Sequence, residues 1–468
     1  MVADIETDYL VVGAGASGMA FTDALVAADS DADVVLVDRR HRPGGHWLDA
    51  YPFVRLHQPS ATYGVSSRSL GDDRIDASGP NAGFYERATA AEIVAYYDKV
   101  LEEVLLPSGR VRFLGLVDHR DDAGGHQLVS LLTDERTTVR ARRKVVDATY
   151  TESSIPSRHT PDFTIDDDAL VVPPNDLVKL DRPAAGYTVI GGGKTAMDTC
   201  GWLLDVGVDP DRIRWVRSRD GWYFNRALTQ PRAQVGSYMQ LQARWVAAAA
   251  AAEDARDFAH RLEADDVLIR IDPDVEPHAF RGATVSTTEV EALRSIKDVV
   301  RRGRVRHVAV DRITFDDGEL PTAADHLHID CTAAGIRPTV PRPVFEPGRI
   351  TLQYVTLGFV PWGAATIGAV EAIRDDDVTK NALCPPVIFS GHAADLLRFA
   401  HAGMQGLMAR GADAEIAAWT ESCRLNPSQG AVAHVDDPRV ADAFASMGTH
   451  IGPALANLQR IVEGNGAG

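Results

Sequence analysis

The sequence predicts an α/β protein with two Rossmann-like units, because one local pattern occurs twice. Tyr9-Leu10-Val11-Val12 and Tyr187-Thr188-Val189-Ile190 are short, mainly apolar runs of the kind that a buried parallel strand uses. Each leads directly into a glycine-rich turn, Gly13-Ala14-Gly15-Ala16-Ser17-Gly18 and Gly191-Gly192-Gly193-Lys194-Thr195-Ala196. Each turn opens a segment with helical character, Met19–Ala28 and Thr195–Leu204. The first unit then continues to a second apolar run, Val34-Val35-Leu36-Val37, which ends in Asp38.

Every part of the first unit has a physical task in holding a dinucleotide. Gly13 permits the tight turn out of the strand, Gly15 lets backbone N–H groups approach a diphosphate, and Gly18 lets the helix pack closely on the strand. Ala16 and Ser17 stand at the helix start, where the positive end of the dipole faces the phosphates. Asp38 lies about 20 residues beyond the last glycine, where a ribose hydroxyl needs an acceptor. In the second unit Gly191, Gly193 and Thr195 take the corresponding places. Its second strand, Ile213–Arg217, ends in a base instead of an acid. Arg217, Ser218 and Arg219 offer two guanidiniums and a hydroxyl, which suits a 2′-phosphate and therefore NADPH over NADH. Lys194, inside the turn itself, either adds charge to the pyrophosphate site or faces solvent.

The chain has 468 residues, enough for two or three cores. Its formal net charge of −18 argues against a nucleic-acid partner, which needs a positive footprint. The four cysteines, Cys200, Cys331, Cys384 and Cys423, are far apart. This spacing excludes a local redox disulfide, predicts no metal site, and fits a cytoplasmic location. Met1–Asp8 has neither a basic nor an apolar leader region, and no apolar run is long enough to span a membrane.

The stretch Arg39-Arg40-His41-Arg42-Pro43-Gly44-Gly45-His46-Trp47 resembles the glycine-pair-and-tryptophan stretch of flavoprotein monooxygenases, with histidine in place of threonine. The resemblance implies FAD at the first unit, with Arg39, Gly45, His46 and Trp47 beside it. It also places Leu48–Pro59 next to the flavin, with His57 and Gln58 facing either the ring or the substrate, or else bonding loop backbone. Val145–Tyr150 and Cys331–Gly335 resemble the two "ATG" strands by which such flavoproteins leave and re-enter the FAD domain. The implied order is an FAD domain over 1–180, an NAD(P)H domain over 181–325, and the rest of the FAD domain over 326–468. Trp362 and Gly363 are the implied late contacts to the flavin pyrimidine.

Several further elements follow from local pattern. Ala90–Leu105 reads as helix, and Val111–Leu116 and Gln127–Leu132 read as strands around a Gly124-Gly125 turn. Proline-rich Val171–Ala185 reads as a linker. Gly221–Arg226 is aromatic and reads as a hydrophobic junction or as a wall over nicotinamide or substrate. Ser237–Ala264, with six alanines from Ala247 to Ala252, reads as one helix, and Ser286–Glu289 as a capping box opening another that runs to Val300. Residues 221–300 are thus expected to be a helical insertion. Pro385–His392 reads as strand-like, Asp395–Met408 as helix, and Glu463–Gly468 as a frayed end.

Two nucleotide units imply that NADPH passes a hydride to FAD. The whole pattern resembles the class B flavoprotein monooxygenases. That resemblance implies insertion of one oxygen atom of O2 into a small organic substrate through a C4a-(hydro)peroxyflavin, with His46, His57 and Gln58 shaping the site. The family's FxGxxxH signature is replaced by Ser153–Phe163, where His159 stands without the preceding Phe and Gly. An NADPH-dependent reductase, dehydrogenase or oxidase without oxygen insertion is the alternative, and a ligand-binding protein that keeps the fold is a third. A homodimer is the default assembly.

Overall fold

The computed structural model describes residues 4–122 and 125–464; Met1–Ala3, Gly124 of the expected turn and the last four residues of the expected frayed end lie outside the described residues. Strand Asp4–Val12 sits inside a mainly parallel sheet, flanked in parallel by Val34–Asp38 and Arg136–Asp147. Tyr9, Leu10 and Val11 are buried, which is why that run is apolar without alternation. Val111–Gly115 extends the sheet beyond Val34–Asp38, and Arg349–Thr351 joins it beside Arg136–Asp147. The last pairing carries residues from beyond position 326 back onto the sheet that the first residues begin.

The second sheet repeats this order. Gly186–Ile190 lies between Ile213–Val216 and His326–Asp330, with Asp298–Val300 outside the former and Val171–Val172 outside the latter, all parallel. The supposed linker over 171–185 is thus partly a sheet edge, completed by a 3-10 turn at Pro174–Lys179. Helices Ala16–Ala28 and Lys194–Asp205 begin at Gly15 and Gly193, and neither N-terminus is capped by a side chain.

Residues 221–300 are not simply helical. Strand Gly221–Asn225 is flanked by Leu268–Ile269 and Ala279–Val285 in a separate three-stranded sheet. Trp222, Tyr223 and Phe224 are all buried, so both faces of this strand are apolar and no period of two shows in the sequence. The long helix expected over Ser237–Ala264 is two, Val235–Ala251 and Ala255–Ala264, and the Asp254 side chain caps the second by accepting from the Asp257 N–H. The Ser286–Glu289 capping box is present, but its helix stops at Arg294 and Asp298–Val300 is strand. Pro385–His392 forms no strand; an isolated bridge joins His392 to Ala279.

The insertion packs on the end of the chain. Trp222, Trp245, Phe258, Phe280 and Phe399 share one core with Leu458 and Ile461 of helix Pro438–Gly464. The alanine run lets that helix lie close to Val235–Ala251. At the contact, Asn457 Nδ2 donates to the carbonyls of Ala249 (3.0 Å) and Ala252 (2.8 Å), which the helix end leaves without internal partners. Removing this amide strands both acceptors. Asn457→Ala is expected to lower unfolding free energy by about 1–3 kcal/mol, read as a lower urea midpoint at unchanged slope.

Candidate functional site

One cavity of about 810 Å³ runs past both glycine-rich turns and ends against the insertion. At the first turn, contacts between backbones require glycine. A Cβ on Gly18 would stand 1.9 Å from the Gly13 carbonyl oxygen, and one on Gly45 would stand 2.9 Å from Gly15 Cα. The second glycine pair therefore lies directly on the fingerprint turn, and Gly13, Gly15, Ala16, Ser17 and Gly45 line the cavity. Gly18 serves the packing of helix on turn. The Asp38 carboxylate also lines the cavity; it accepts from Ala14 N–H (2.7 Å) and Arg40 N–H (2.8 Å). Each oxygen keeps lone-pair capacity for another donor. Arg39 does not join them: its side chain is 74% exposed and lies 3.6 Å from Asp118. Arg40 takes that place in the wall, held by Asp49 through two hydrogen bonds of 3.1 and 2.9 Å.

His46, Trp47, His57 and Gln58 all reach the cavity. Trp47 Nε1 donates to Tyr63 Oη at 2.6 Å, which fixes the indole edge-on to that phenol. Burial holds the His46 imidazole down at about 4, with the Arg40 charge adding to the effect. Burial likewise brings His57 to about 3, assisted by Lys194 and opposed by Asp198. Both rings are neutral at pH 7. Gln58 Nε2 donates to Thr62 through its carbonyl (3.0 Å) and hydroxyl (3.3 Å), so its amide N–H groups serve the loop. The backbone of His57 is gripped from the insertion: its carbonyl accepts from Thr284 Oγ1 (2.6 Å) and Arg226 Nε (3.4 Å).

At the second turn a Cβ on Gly191 would stand 2.6 Å from the Cys331 carbonyl oxygen, whereas one on Gly193 would meet nothing within 4 Å. The turn is thus closed behind and open in front, where Gly191, Gly193 and Thr195 line the cavity. Lys194 does not face solvent; it lines the cavity at the turn. It is 10% exposed and paired with Asp198, whose other oxygen accepts from Tyr51 Oη at 2.8 Å. Arg217 is also corrected: it is 2% exposed, pairs with Asp220 and lies over the Trp215 ring, 4.6 Å from its centroid. Ser218 and Arg219 do line the cavity, and Arg281 and Arg304 join them. Sequence reasoning missed both, because neither lies in the fingerprint pattern.

The two strand ends that cross these turns match in detail. Asp147 Oδ1 accepts from the N–H (2.9 Å) and hydroxyl (2.8 Å) of Thr149. Asp330 Oδ1 accepts from the N–H (2.9 Å) and hydroxyl (2.6 Å) of Thr332 in the same way. Thr149 lies against Gly13, and Thr332 bonds His159 Nε2 at 3.0 Å. Trp362 and Gly363 do not line the cavity. They fall in the first turn of helix Val360–Ile373, turned into the core, and Leu357–Val360 form the wall instead.

These features fit two dinucleotides. Each turn presents an uncapped helix start, a face free of side chains and a cavity in front of it. The first adds the Asp38 carboxylate and the second adds guanidiniums. Beneath His57, Glu289 pairs with Arg226 at 2.8 Å and Arg87 at 3.3 Å. Burial works to raise the Glu289 pKa, but the charges of Lys194, Arg226 and Arg87 outweigh it and hold the group at about 2.

These groups set an acid limit. Below its unfolded value near 6.5, each histidine binds a proton in the unfolded chain that it refuses in the folded one, so stability falls from about pH 6.5 toward 4. Glu289 extends the loss below the usual carboxylate value of 4.5, toward 2. His46→Gln and His57→Gln are each expected to shrink the stability difference between pH 7 and pH 5 by about 1–2 kcal/mol, measured by urea denaturation at both pH values.

A family model described as an NAD(P)-binding Rossmann-like domain matches residues 11–66. The uncharacterized protein Rv2000 of Mycobacterium tuberculosis is 42% identical over 465 residues, covering 98% of this chain and 85% of its own. The putative FAD-containing monooxygenase MymA of the same species is 36% identical over 86 residues, 18% of this chain and 17% of its own. Among solved structures, oxidized steroid monooxygenase bound to NADP superposes with a TM-score of 0.50 at 15% identity, over 79% of this chain and 85% of that one. The chain therefore belongs to the family of the mycobacterial protein Rv2000 and has the fold of the flavoprotein monooxygenases with two dinucleotide-binding domains.

Proposed function

We propose that the protein is a flavin-dependent, NADPH-consuming monooxygenase that inserts one oxygen atom of O2 into a small organic substrate. The observation that carries this reading is the single cavity shared by both dinucleotide turns and an aromatic chamber. A hydride donor, a flavin and a third molecule would share one continuous cavity. In this reading residues 1–180 and 326–468 hold FAD, and residues 181–325 hold NADPH.

The chain's own residues bind, orient and exclude water. The turn at Gly13–Ser17 receives one diphosphate and the Asp38 carboxylate accepts from a ribose hydroxyl. The turn at Gly191–Thr195 receives the other, and Ser218 and Arg219 meet the 2′-phosphate. Neutral His46 and His57 leave no charge to compete with O2 or an apolar substrate beside the flavin. Bound FAD supplies the hydride acceptance and the oxygen chemistry. Fixed aromatic walls keep water from the reacting atoms.

The FAD-loaded protein is expected to oxidise NADPH in air and to place a single ¹⁸O atom from labelled O2 in the product. Stoichiometric hydrogen peroxide with no labelled product across a substrate panel would instead establish an oxidase. The two arginines separate the nucleotide contact from the scaffold. Arg219→Ala is expected to raise KM for NADPH about tenfold or more, with little change for NADH, since one charge-assisted contact to phosphate is worth about 1.5–3 kcal/mol. Arg217→Ala is expected to lower thermal stability without changing the ratio of the two cofactors' KM values.

A further inference from the structure

The chamber at the insertion end of the cavity differs in chemistry from the rest. Tyr238, Leu241, Gln242 and Trp245 project from one face of helix Val235–Ala251, at the spacing of successive turns. Facing segments add Phe224, Leu357 and Phe359. None of these seven side chains is an acid, lysine, arginine or histidine; the basic groups of the cavity are Arg40, Arg55, Lys194, Arg219, Arg281 and Arg304, with His46, His57 and His392. A ligand charge in the chamber would lose its hydration without gaining a partner.

Two polar groups interrupt the apolar wall. Gln242 Nε2 donates to Tyr238 Oη at 2.8 Å. The phenol oxygen is thereby an acceptor, and its own proton has no acceptor among the described residues. Tyr238 is only 5% exposed, and burial raises its pKa well above the ordinary phenol value, so the proton stays in place. A buried donor without a partner is costly unless a ligand meets it. Tyr238 also belongs to the core of the first nucleotide unit, with its ring edge-on to Phe359 at 6.0 Å, just before helix Val360–Ile373. It stands where the insertion meets the half that Asp38 and Trp47 belong to.

We propose that Tyr238, oriented by Gln242, is the specificity-determining donor of this chamber, and that it reads an acceptor oxygen on a neutral, otherwise apolar substrate. The inference deepens the monooxygenase reading but concerns binding alone, so it is tested without turnover. Acetophenone, ethylbenzene and benzoate are the probes: a neutral acceptor, a hydrocarbon analogue without one, and an anion. They are titrated into the oxidised, FAD-loaded protein without NADPH, by calorimetry. Acetophenone is expected to bind about tenfold more tightly than ethylbenzene, the worth of one net hydrogen bond, and benzoate at least as much more weakly than acetophenone. Tyr238→Phe is expected to abolish the preference for acetophenone while leaving ethylbenzene affinity and FAD content unchanged. Gln242→Leu is expected to weaken the preference, with the phenol still present but no longer oriented. Equal affinities in the unaltered protein, a preference that survives Tyr238→Phe, a parallel loss of ethylbenzene binding, or tight benzoate binding would each overturn the proposal. An absence of labelled product with the preference intact would instead refute the oxygenase reading and leave the donor assignment standing.

Discussion

The structure depends on places where backbone meets backbone with no side chain between. The Cys331 carbonyl rests on Gly191, the Gly13 carbonyl on Gly18, and Gly45 on Gly15. Each contact tolerates a hydrogen atom and would not tolerate a methyl group. The first holds the second turn against the strand end that crosses it, the second closes the first turn on itself, and the third seats the Gly44-Gly45 pair on that turn. The matched Asp147–Thr149 and Asp330–Thr332 bonds fix both strand-end crossings in one geometry. The walls of the cavity at the two turns are therefore set by backbone, and its other walls by side chains.

The legible parts of the sequence were those with local causes. A strand buried on both faces, a turn that needs glycine and a helix that follows are adjacent in the chain, so both Rossmann units could be read directly. The capping box at Ser286 was legible for the same reason. What was not legible depended on partners distant in sequence. Val171–Val172 is a strand because His326–Asp330 lies beside it, and proline-rich composition carries no sign of that neighbour. Trp222-Tyr223-Phe224 reads equally as a junction or a strand until Ala279–Val285 is placed alongside.

The basic residues show the same limit. Arg217 and Arg219 both follow the second strand of the second unit, and sequence cannot tell which faces the cavity. Asp220 decides it by pairing with Arg217 over Trp215, which leaves Arg219 in the wall. Lys194 is paired at the turn with Asp198, one helical turn away, an acid visible in the sequence but significant only once Tyr51 from the first unit bonds it too. Arg281 arrives from the insertion, and no fingerprint pattern announces it.

The grip on His57 has an evolutionary side. Arg226 and Thr284 hold that residue by its carbonyl oxygen, an atom that every amino acid supplies. The bonds that hold the loop are therefore indifferent to the identity of residue 57, while the side chain there borders the cavity. Such an anchorage separates heritable variation from architectural risk. A substitution at position 57 changes the group presented to the cavity and leaves the joint between the loop and the insertion intact.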